Sequence, residues 1–189
     1  MLRAFIAIEL EKKETIEKIL NFSSRLKQNQ QKLKLVKSDL HMTLKFLGNI
    51  PETLAPEIYM ILQEEINGKL FGGKDFKYFL KGAGQFNKFS VLWIKLVGDI
   101  EFLQVVKDSI ENLLHDRLKI NFDKRKQFKP HLTIGRLRKE KINYKTFETF
   151  KKLINENKNK EFGEFRINQV KLKKSDLTPT GPIYSDLVF

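Results

Sequence analysis

The segment HMTL at residues 41–44 returns as HLTI at residues 131–134, and these two stretches decide how the chain is interpreted. Each reads histidine, apolar residue, threonine, apolar residue, and the whole chain has only three histidines. Such alternation is typical of a half-buried β-strand, on which residues two positions apart, such as His41 and Thr43, point to the same side. The repeated pattern therefore predicts two strands that each present an imidazole beside a hydroxyl group.

Composition favours one globular domain with an anionic partner. The chain has 189 residues, of which 41% are hydrophobic, enough for a packed core. It contains no cysteine, which excludes disulfides, thiol nucleophiles and Cys-based zinc sites. The 36 Lys and Arg residues outnumber the 23 Asp and Glu residues and give a net charge of +13. This excess favours a nucleic acid as partner, although a lysine-rich surface without such a partner is the alternative.

The beginning of the chain is interpreted as a strand rather than as a targeting segment. Residues 2–10 form a short apolar run, which is followed directly by charged residues and contains no small-residue cleavage site. No apolar run approaches the length of a membrane-spanning helix. We therefore expect a cytoplasmic protein without a membrane partner.

Hydrophobic periodicity predicts an α+β fold. The expected helices cover residues 11–28, 52–66, 100–118 and 144–156, and the expected strands cover residues 2–9, 33–36, 41–47, 75–82, 90–97, 131–136, 164–174 and 182–188. Turns are expected at residues 48–49, 82–84 and 178–182, and Gly68 is expected to end the second helix. The repeated motif suggests a duplicated unit of strand, helix, motif strand and helix in each half. We expect a single domain, residues 1–189, of two pseudo-symmetric lobes, with two antiparallel sheets and outer helices around a central cleft.

Two histidines facing one cleft are suited to acid–base chemistry, because imidazole titrates near neutral pH. Opening a 2′,3′-cyclic phosphate needs a base for the attacking water and an acid for the leaving oxygen. The hydroxyl groups of Thr43 and Thr133 fit as donors to the non-bridging oxygens. The third histidine, His115, falls in a predicted helix without a threonine two positions on, and is interpreted as structural.

Other interpretations of the two motif histidines are weaker. Either histidine alone is most simply a polar residue on a strand, and it is the repeat that argues against this. A zinc site usually needs a third ligand, and no H-x-x-E-H or H-E-x-x-H spacing is present. No serine has the surroundings of a nucleophile elbow, which argues against Ser-His-Asp chemistry.

Four segments in order resemble the 2H phosphoesterase superfamily, and within it the LigT-like RNA 2′,3′-cyclic phosphodiesterases, once described as 2′-5′ RNA ligases. The resemblance covers nearly the whole chain. The segments are RAFIAI at residues 3–8, HMTLKFLG at residues 41–48, KPHLTIGR at residues 129–136 and SDLTPTGPIY at residues 175–184. The last is similar to the C-terminal signature S-x-L-x-x-x-G-P-x-Y of that group.

The resemblance implies a bilobal α+β fold and hydrolysis of RNA ends carrying a 2′,3′-cyclic phosphate to 2′-phosphates, with no metal and no cofactor. It implies that His41 is the proton donor and His131 the proton acceptor, roles that the residues alone do not rank. It also implies that Arg136 contacts the phosphate and that Phe46 stacks on the terminal base.

Strand alternation bears on two of these implied roles. Arg136 and Phe46 each lie five residues after the histidine of their motif, so alternation places them on the opposite face unless the strand bends or bulges. Lys45, by contrast, is expected to share the face of His41, either adding positive potential to the site or lying in solvent. Phe46 is alternatively an ordinary core residue among 16 phenylalanines.

Two further functions stay open at this stage. A 2′-5′ RNA ligase would use the same two histidines in the reverse direction, joining a cyclic phosphate to a 5′-hydroxyl. A non-catalytic RNA-binding module with a vestigial site is the other, disfavoured because both His-Thr pairs are intact. We expect a monomer, since one chain supplies both motifs.

Overall fold

The computed structural model describes residues 1–123, 127–178 and 181–189 of the chain. The strands are β1 (Leu2–Glu9), β2 (Lys34–Leu35), β3 (His41–Ile50), β4 (Phe76–Phe86), β5 (Val91–Val97), β6 (His131–Arg136), β7 (Glu161–Ile167), β8 (Lys171–Thr178) and β9 (Gly181–Asp186). The α-helices are α1 (Lys13–Asn29), α2 (Ala55–Ile61), α3 (Ile100–Leu118) and α4 (Phe147–Glu156), and α2 continues as a π-helix over Leu62–Phe71. Short 3₁₀ turns cover Glu52–Leu54, Lys139–Lys141 and Tyr144–Thr146.

Two antiparallel sheets carry the fold, and each contains one motif strand. The first sheet has the strand order β3-β1-β8-β9, and the second has the order β2-β6-β5-β4-β7. The motif strands β3 and β6 therefore belong to different sheets, and they contact each other. The predicted α+β class with two antiparallel sheets is confirmed.

The sheet on which a helix packs is not always the sheet of the strand that precedes it in the chain. Helix α1 follows β1 of the first sheet but packs with α4 on the second sheet, while α2 and α3 contact β8 and β3 of the first. The order of strand, helix, motif strand and helix that was expected in each half is present as β1-α1-β3-α2 and as β5-α3-β6-α4, while the chain crosses between the two sheets several times. One domain with two pseudo-symmetric lobes stays our interpretation of this architecture.

The long helices form where their apolar side chains recur at helical spacing. In α1 the buried residues Ile19, Phe22 and Leu26 lie on one face. Helix α3 begins at a cap in which the Asp99 carboxylate accepts a hydrogen bond of 2.9 Å from the Phe102 backbone N–H. Both helices match their predicted ranges to within two residues at each end. No helix among the described residues is long and apolar enough to cross a membrane.

Several predicted boundaries are wrong, and each error involves glycine or an apolar run. Strand β3 does not turn at Gly48 but continues to Ile50, because Gly48 takes a positive φ of 72° beside a bulge. The second helix passes through Gly68 and ends before Gly72, which adopts the left-handed conformation. The predicted loop at residues 82–84 lies inside β4.

The C-terminal region contains three strands rather than the two predicted. The expected strand at residues 164–174 is divided between β7 of the second sheet and β8 of the first. A single apolar alternation ran through both, so periodicity alone did not show the crossing between sheets. The predicted turn at residues 178–182 joins β8 and β9, and its central residues 179–180 lie outside the described residues.

Candidate active site

His41, Thr43 and Phe46 lie on one face of the first sheet because β3 carries β-bulges. In the pairing of β3 with β1, Thr43 lies opposite Ala7 and Phe46 lies opposite Phe5, with a register shift in between. Residues paired across strands share a face, and Ala7 and Phe5 are two positions apart on β1. The extra residue in β3 thus reverses the alternation. Phe46 shares the face of His41, although simple alternation predicts the opposite.

Lys45 does not share this face, so the prediction for it is wrong. The bulge that turns Phe46 toward the face of His41 directs Lys45 into the core, where its side chain is only 2% exposed. Its ammonium group donates to Glu111 Oε2 at 2.7 Å and to the Asn121 carbonyl at 2.8 Å. Lys45 therefore holds β3 against the core. Its charge is paired with Glu111 and does not add positive potential to the cleft face.

A second bulge brings Arg136 to the face of His131. In the pairing of β6 with β5, Thr133 lies opposite Trp93 and Arg136 lies opposite Val91, and a register shift separates the two pairs. Trp93 and Val91 are two positions apart and share a face, so His131, Thr133 and Arg136 do as well. Strand β6 thus has the bulge that Arg136 needs in order to share the face of His131.

Both imidazoles are held by the same backbone contact. The Nδ1 atom of His41 lies 2.6 Å from the Asp39 carbonyl oxygen, and that of His131 lies 2.5 Å from the Lys129 carbonyl oxygen. A carbonyl only accepts hydrogen bonds, so each Nδ1 carries the proton and donates it. The Nε2 atom of each ring is thereby left as the nitrogen that gains or loses a proton.

An aromatic ring meets each imidazole edge-on. Tyr184 lies against His41 with ring centroids 4.9 Å apart at 89°, and Phe86 lies against His131 at 5.0 Å and 87°. Both interplanar angles are those of a T-shaped pair. The two histidines thus have matching surroundings, one in each sheet.

Two further rings complete the packing around the imidazoles. Phe5 lies 4.9 Å from His41, and Trp93 lies 6.5 Å from His131, measured between ring centroids. The indole of Trp93 covers Gly84, where an added Cβ would overlap the ring. No role was predicted for these aromatic neighbours, and residues 82–84 were expected to form a turn, although glycine inside a strand can mark a close backbone approach.

Burial and charge act together on His41. Burial lowers the pKa of the His41 imidazole, and the positive charge of Lys173 lowers it further. The backbone hydrogen bond to Asp39 and the carboxylate of Glu9 raise the pKa but do not outweigh the lowering. In the ligand-free site His41 therefore favours its neutral form more than an ordinary histidine does.

The cation beside His41 belongs to a buried charge network on the same face of the sheet. Lys173 lies opposite Phe5 in the pairing of β8 with β1, and its side chain is 1% exposed. Its ammonium group lies 3.0 Å from Glu9 Oε2 and 2.6 Å from Asp186 Oδ1. Glu9 is in turn paired with Lys171 at 2.8 Å. The network holds fixed charges next to the imidazole.

Arginines from both sheets act electrostatically on Tyr184. Burial raises the pKa of the Tyr184 hydroxyl, while the positive charges of Arg136 and Arg3 act in the opposite direction. Arg136 belongs to β6 of the second sheet and Arg3 to β1 of the first. The positive charges of two arginines, one from each sheet, thus act on a ring that also touches His41, which makes this face suited to an anion.

His115 lies apart from the motif strands, on α3, where its ring packs against Phe122 with centroids 4.5 Å apart. Its Nδ1 is buried and has no hydrogen-bond partner among the described residues. Over the same residues, no group of three or more His, Cys, Asp or Glu side chains is arranged to hold a metal ion.

Comparison with known proteins gives a consistent result over nearly the full chain. A family model described as the AKAP7 2′5′ RNA ligase-like domain matches residues 4–185. An RNA 2′,3′-cyclic phosphodiesterase of Methanocaldococcus jannaschii is 35% identical, with 97% of this chain and 96% of that protein covered. Another, of Methanothermobacter thermautotrophicus, is 31% identical, with 98% and 96% covered.

Solved structures are similar in fold. Protein TT0787 of Thermus thermophilus superposes with a TM-score of 0.73 at 26% identity, covering 98% of this chain and 95% of that one. E. coli LigT in its apo form gives a TM-score of 0.71 at 18% identity, with 99% and 95% covered.

Proposed function

The chain belongs to the LigT-like group of the 2H phosphoesterase family, and from this we propose that it hydrolyses RNA or oligonucleotide 2′,3′-cyclic phosphate ends to 2′-phosphates. The observation that carries the proposal is the matched pair of imidazoles, each with Nδ1 fixed by a backbone carbonyl. Two relatives more than 30% identical, named as RNA 2′,3′-cyclic phosphodiesterases, support the substrate.

The proposed mechanism uses the two Nε2 atoms on opposite sides of the phosphorus. Nε2 of His131 accepts a proton from water as its oxygen forms a bond to phosphorus. The bond from phosphorus to the 3′ oxygen breaks, and Nε2 of protonated His41 donates its proton to that oxygen. The 2′ ester bond remains, so the product is a 2′-phosphate, and His41 and His131 exchange protons with water to restore the starting state.

The donors around the phosphate are proposed to be Thr43, Thr133 and Arg136. Each shares a face with the histidine of its own motif. Their hydrogen bonds and the guanidinium charge stabilise the negative charge that grows on the non-bridging oxygens in the transition state. Phe46, which shares the face of His41 and is 55% exposed, is proposed to stack on the terminal base.

The assignment of His41 as acid requires substrate to change its protonation. Burial lowers the pKa of free His41 and favours the neutral form. A bound phosphodiester anion beside the ring raises that pKa, because an opposite charge favours the imidazolium. We therefore propose that the bound substrate favours protonation of His41, the form in which His41 can donate a proton.

The decisive experiment incubates an oligonucleotide with a 2′,3′-cyclic phosphate end in EDTA and identifies the product. We expect a 2′-phosphate, and a loss of roughly 10²–10⁴-fold in kcat for His41→Ala and for His131→Ala, the range for one general acid or base. His115→Ala, which removes the third histidine, is the matched control and should keep the wild-type kcat.

Each other outcome has a definite meaning. Activity that survives in either motif variant would contradict the two-histidine mechanism, and loss of activity in EDTA would contradict metal independence. A 3′-phosphate product would exchange the roles of His41 and His131.

Adding an oligonucleotide with a 5′-hydroxyl tests the reverse, ligase reaction. The same site would catalyse this reaction, and we expect it to be minor in water. Size-exclusion chromatography tests the proposed monomer.

A further inference from the structure

A shallow groove of about 500 Å³ next to Phe46 contains a second exposed aromatic ring, that of Phe122. The two phenylalanines are 55% and 49% exposed. An exposed ring forfeits the free energy of burial, so two of them in one groove suggest a ligand surface. The remaining lining residues are Leu47, Ile50, Lys119, Ile120, Asn121 and Asp123.

The buried ion pair behind β3 fixes the position of Phe122 relative to Phe46. Lys45, the residue before Phe46, donates to the carbonyl of Asn121 at 2.8 Å. Its partner Glu111 accepts a hydrogen bond of 3.0 Å from the backbone N–H of Asp123. The chain is thus held on both sides of Phe122 by a pair that is anchored directly beside Phe46.

One face of the Phe122 ring is also covered by the protein. It packs on the imidazole of His115 with centroids 4.5 Å apart and planes inclined at 36°. One face of the ring therefore rests on the protein, and about half of the residue faces solvent. A ring held in this way loses little conformational freedom when a flat ligand stacks on it.

We propose that Phe122 stacks on the base of the nucleotide that precedes the cyclic-phosphate terminus, so that the groove binds the body of a single-stranded RNA. This inference rests on the proposed function and extends it, because it makes substrates of two or more nucleotides better than mononucleotides. The groove continues from Phe46, which shares the face of His41. An RNA whose end lies at the histidines thus passes along it.

The chemistry of the groove fits a base better than a phosphate. Its charged side chains are one cation, Lys119, and one carboxylate, Asp123. Their charges offset each other, whereas the aromatic and aliphatic side chains offer stacking area to any base. The net charge of +13 supplies the long-range attraction for the polyanion.

The test compares hydrolysis of adenosine 2′,3′-cyclic phosphate with that of adenylyl-adenosine 2′,3′-cyclic phosphate. For Phe122→Ala we expect KM for the dinucleotide to rise by roughly 5- to 100-fold, the factor for loss of one stacked base, with kcat unchanged. KM for the mononucleotide should not change. Phe122→Trp should retain dinucleotide binding, and Phe122→Leu, which keeps apolar volume without a π face, should lose most of it.

Tyr144→Ala is the matched control, because Tyr144 is an aromatic residue that is 75% exposed and lies outside the groove. An unchanged KM for the dinucleotide in Phe122→Ala, or an equal loss with both substrates, would overturn the proposal. Thermal melts of the variants separate the second result from a folding defect. If the wild-type protein hydrolyses neither substrate, the proposed function fails. Binding of the labelled dinucleotide to Phe122→Ala and wild type, measured by fluorescence anisotropy, then still tests the subsite.

Discussion

Lys173 places a buried ammonium group beside the imidazole that we propose as the acid. Its positive charge lowers the pKa of His41, while the carboxylate of Glu9 raises it. Lys173→Met removes the cation and leaves Glu9 and Asp186 with one partner fewer. Both changes favour the imidazolium, so the pKa of His41 should rise.

This rise should appear in the pH dependence of kcat/KM as a shift of one limb to higher pH. An acid must be protonated to act, so with His41 as acid it is the alkaline limb that moves; with His41 as base the acidic limb would move instead. Lys174→Met, at a lysine that pairs with Asp176 rather than with Glu9, is the control. Two unmoved limbs would contradict a role for Lys173 in tuning His41.

Strand faces were predicted well from the sequence where they depend on local alternation, and poorly where they depend on strand pairing. Spacing alone predicted that each motif histidine shares a strand face with the threonine two residues on, because alternation of period two is a local property of a strand. Alternation gave the wrong face for Phe46 and Lys45, since the bulge depends on pairing with β1. No local pattern in HMTLKFLG marks which residue is the extra one.

At the scale of elements, the buried pair of Lys45 and Glu111 joins β3 to α3. Glu111 also accepts from Lys107 at 3.2 Å and from the backbone N–H of Asp123 at 3.0 Å, and its side chain is 4% exposed. Burial raises the pKa of Glu111, but the hydrogen bonds of Lys45 and Asp123 hold it below the ordinary value. The carboxylate therefore stabilises the fold above its ordinary pKa, and this is lost as acid protonates it.

The shared carboxylate predicts an asymmetry between two variants. Glu111→Leu leaves two buried lysines without their anion and should lower the free energy of unfolding by about 3–5 kcal/mol. Lys45→Met leaves Glu111 with other donors and should cost less, roughly 1–2 kcal/mol. Urea unfolding of both variants and of the double variant measures the coupling. Equal losses would contradict the shared role of Glu111.

An exposed pair is the control for these measurements. Glu14 and Lys18 lie 2.6 Å apart on the surface of α1, with side chains 67% and 51% exposed. Glu14→Leu should leave the free energy of unfolding nearly unchanged, because water and salt screen such pairs. The Glu111 variants also lose the anchor of Phe122, so their oligonucleotide binding should weaken in parallel.

Helices and strands were predicted well where their periodicity was long, and poorly where glycine or a sheet crossing intervened. Helix α3 was predicted with its observed bounds because its apolar residues repeat over many turns. Gly48 and residues 82–84 were taken as turns, yet both lie within strands. In a strand, glycine serves a bulge or makes room for a ring such as that of Trp93, and this depends on the neighbouring strand.

On the scale of the whole molecule, the chain exchanges elements between its two sheets. Strand β1 belongs to one sheet and the following α1 packs on the other, while β8 and β9 return to the first after β7. The two motif strands are therefore held together by several crossings of the chain. This long-range arrangement was not predictable from a single sequence, although the repeated motif correctly placed one histidine in each sheet.

The positive charge of the whole molecule predicts binding of RNA that depends on salt. With a net charge of +13, the protein should bind a single-stranded oligonucleotide more weakly as NaCl is raised. For about three neutralised phosphates, the logarithm of the association constant should fall against that of salt with a slope of roughly −2. Fluorescence anisotropy measures this slope, and Phe122→Ala should keep it, because stacking is not screened. A flat response would assign the charge to surface composition.

The fluorescence of Trp93 depends on the charge of the nearby His131. It is the single tryptophan of the chain, and its ring lies 6.5 Å from His131, near Phe86 and over Gly84. A charged imidazolium quenches indole emission more strongly than a neutral imidazole does. The fluorescence intensity of the unlabelled protein therefore reports the charge of His131. The protonation of His131 can thus be followed by fluorescence with or without RNA.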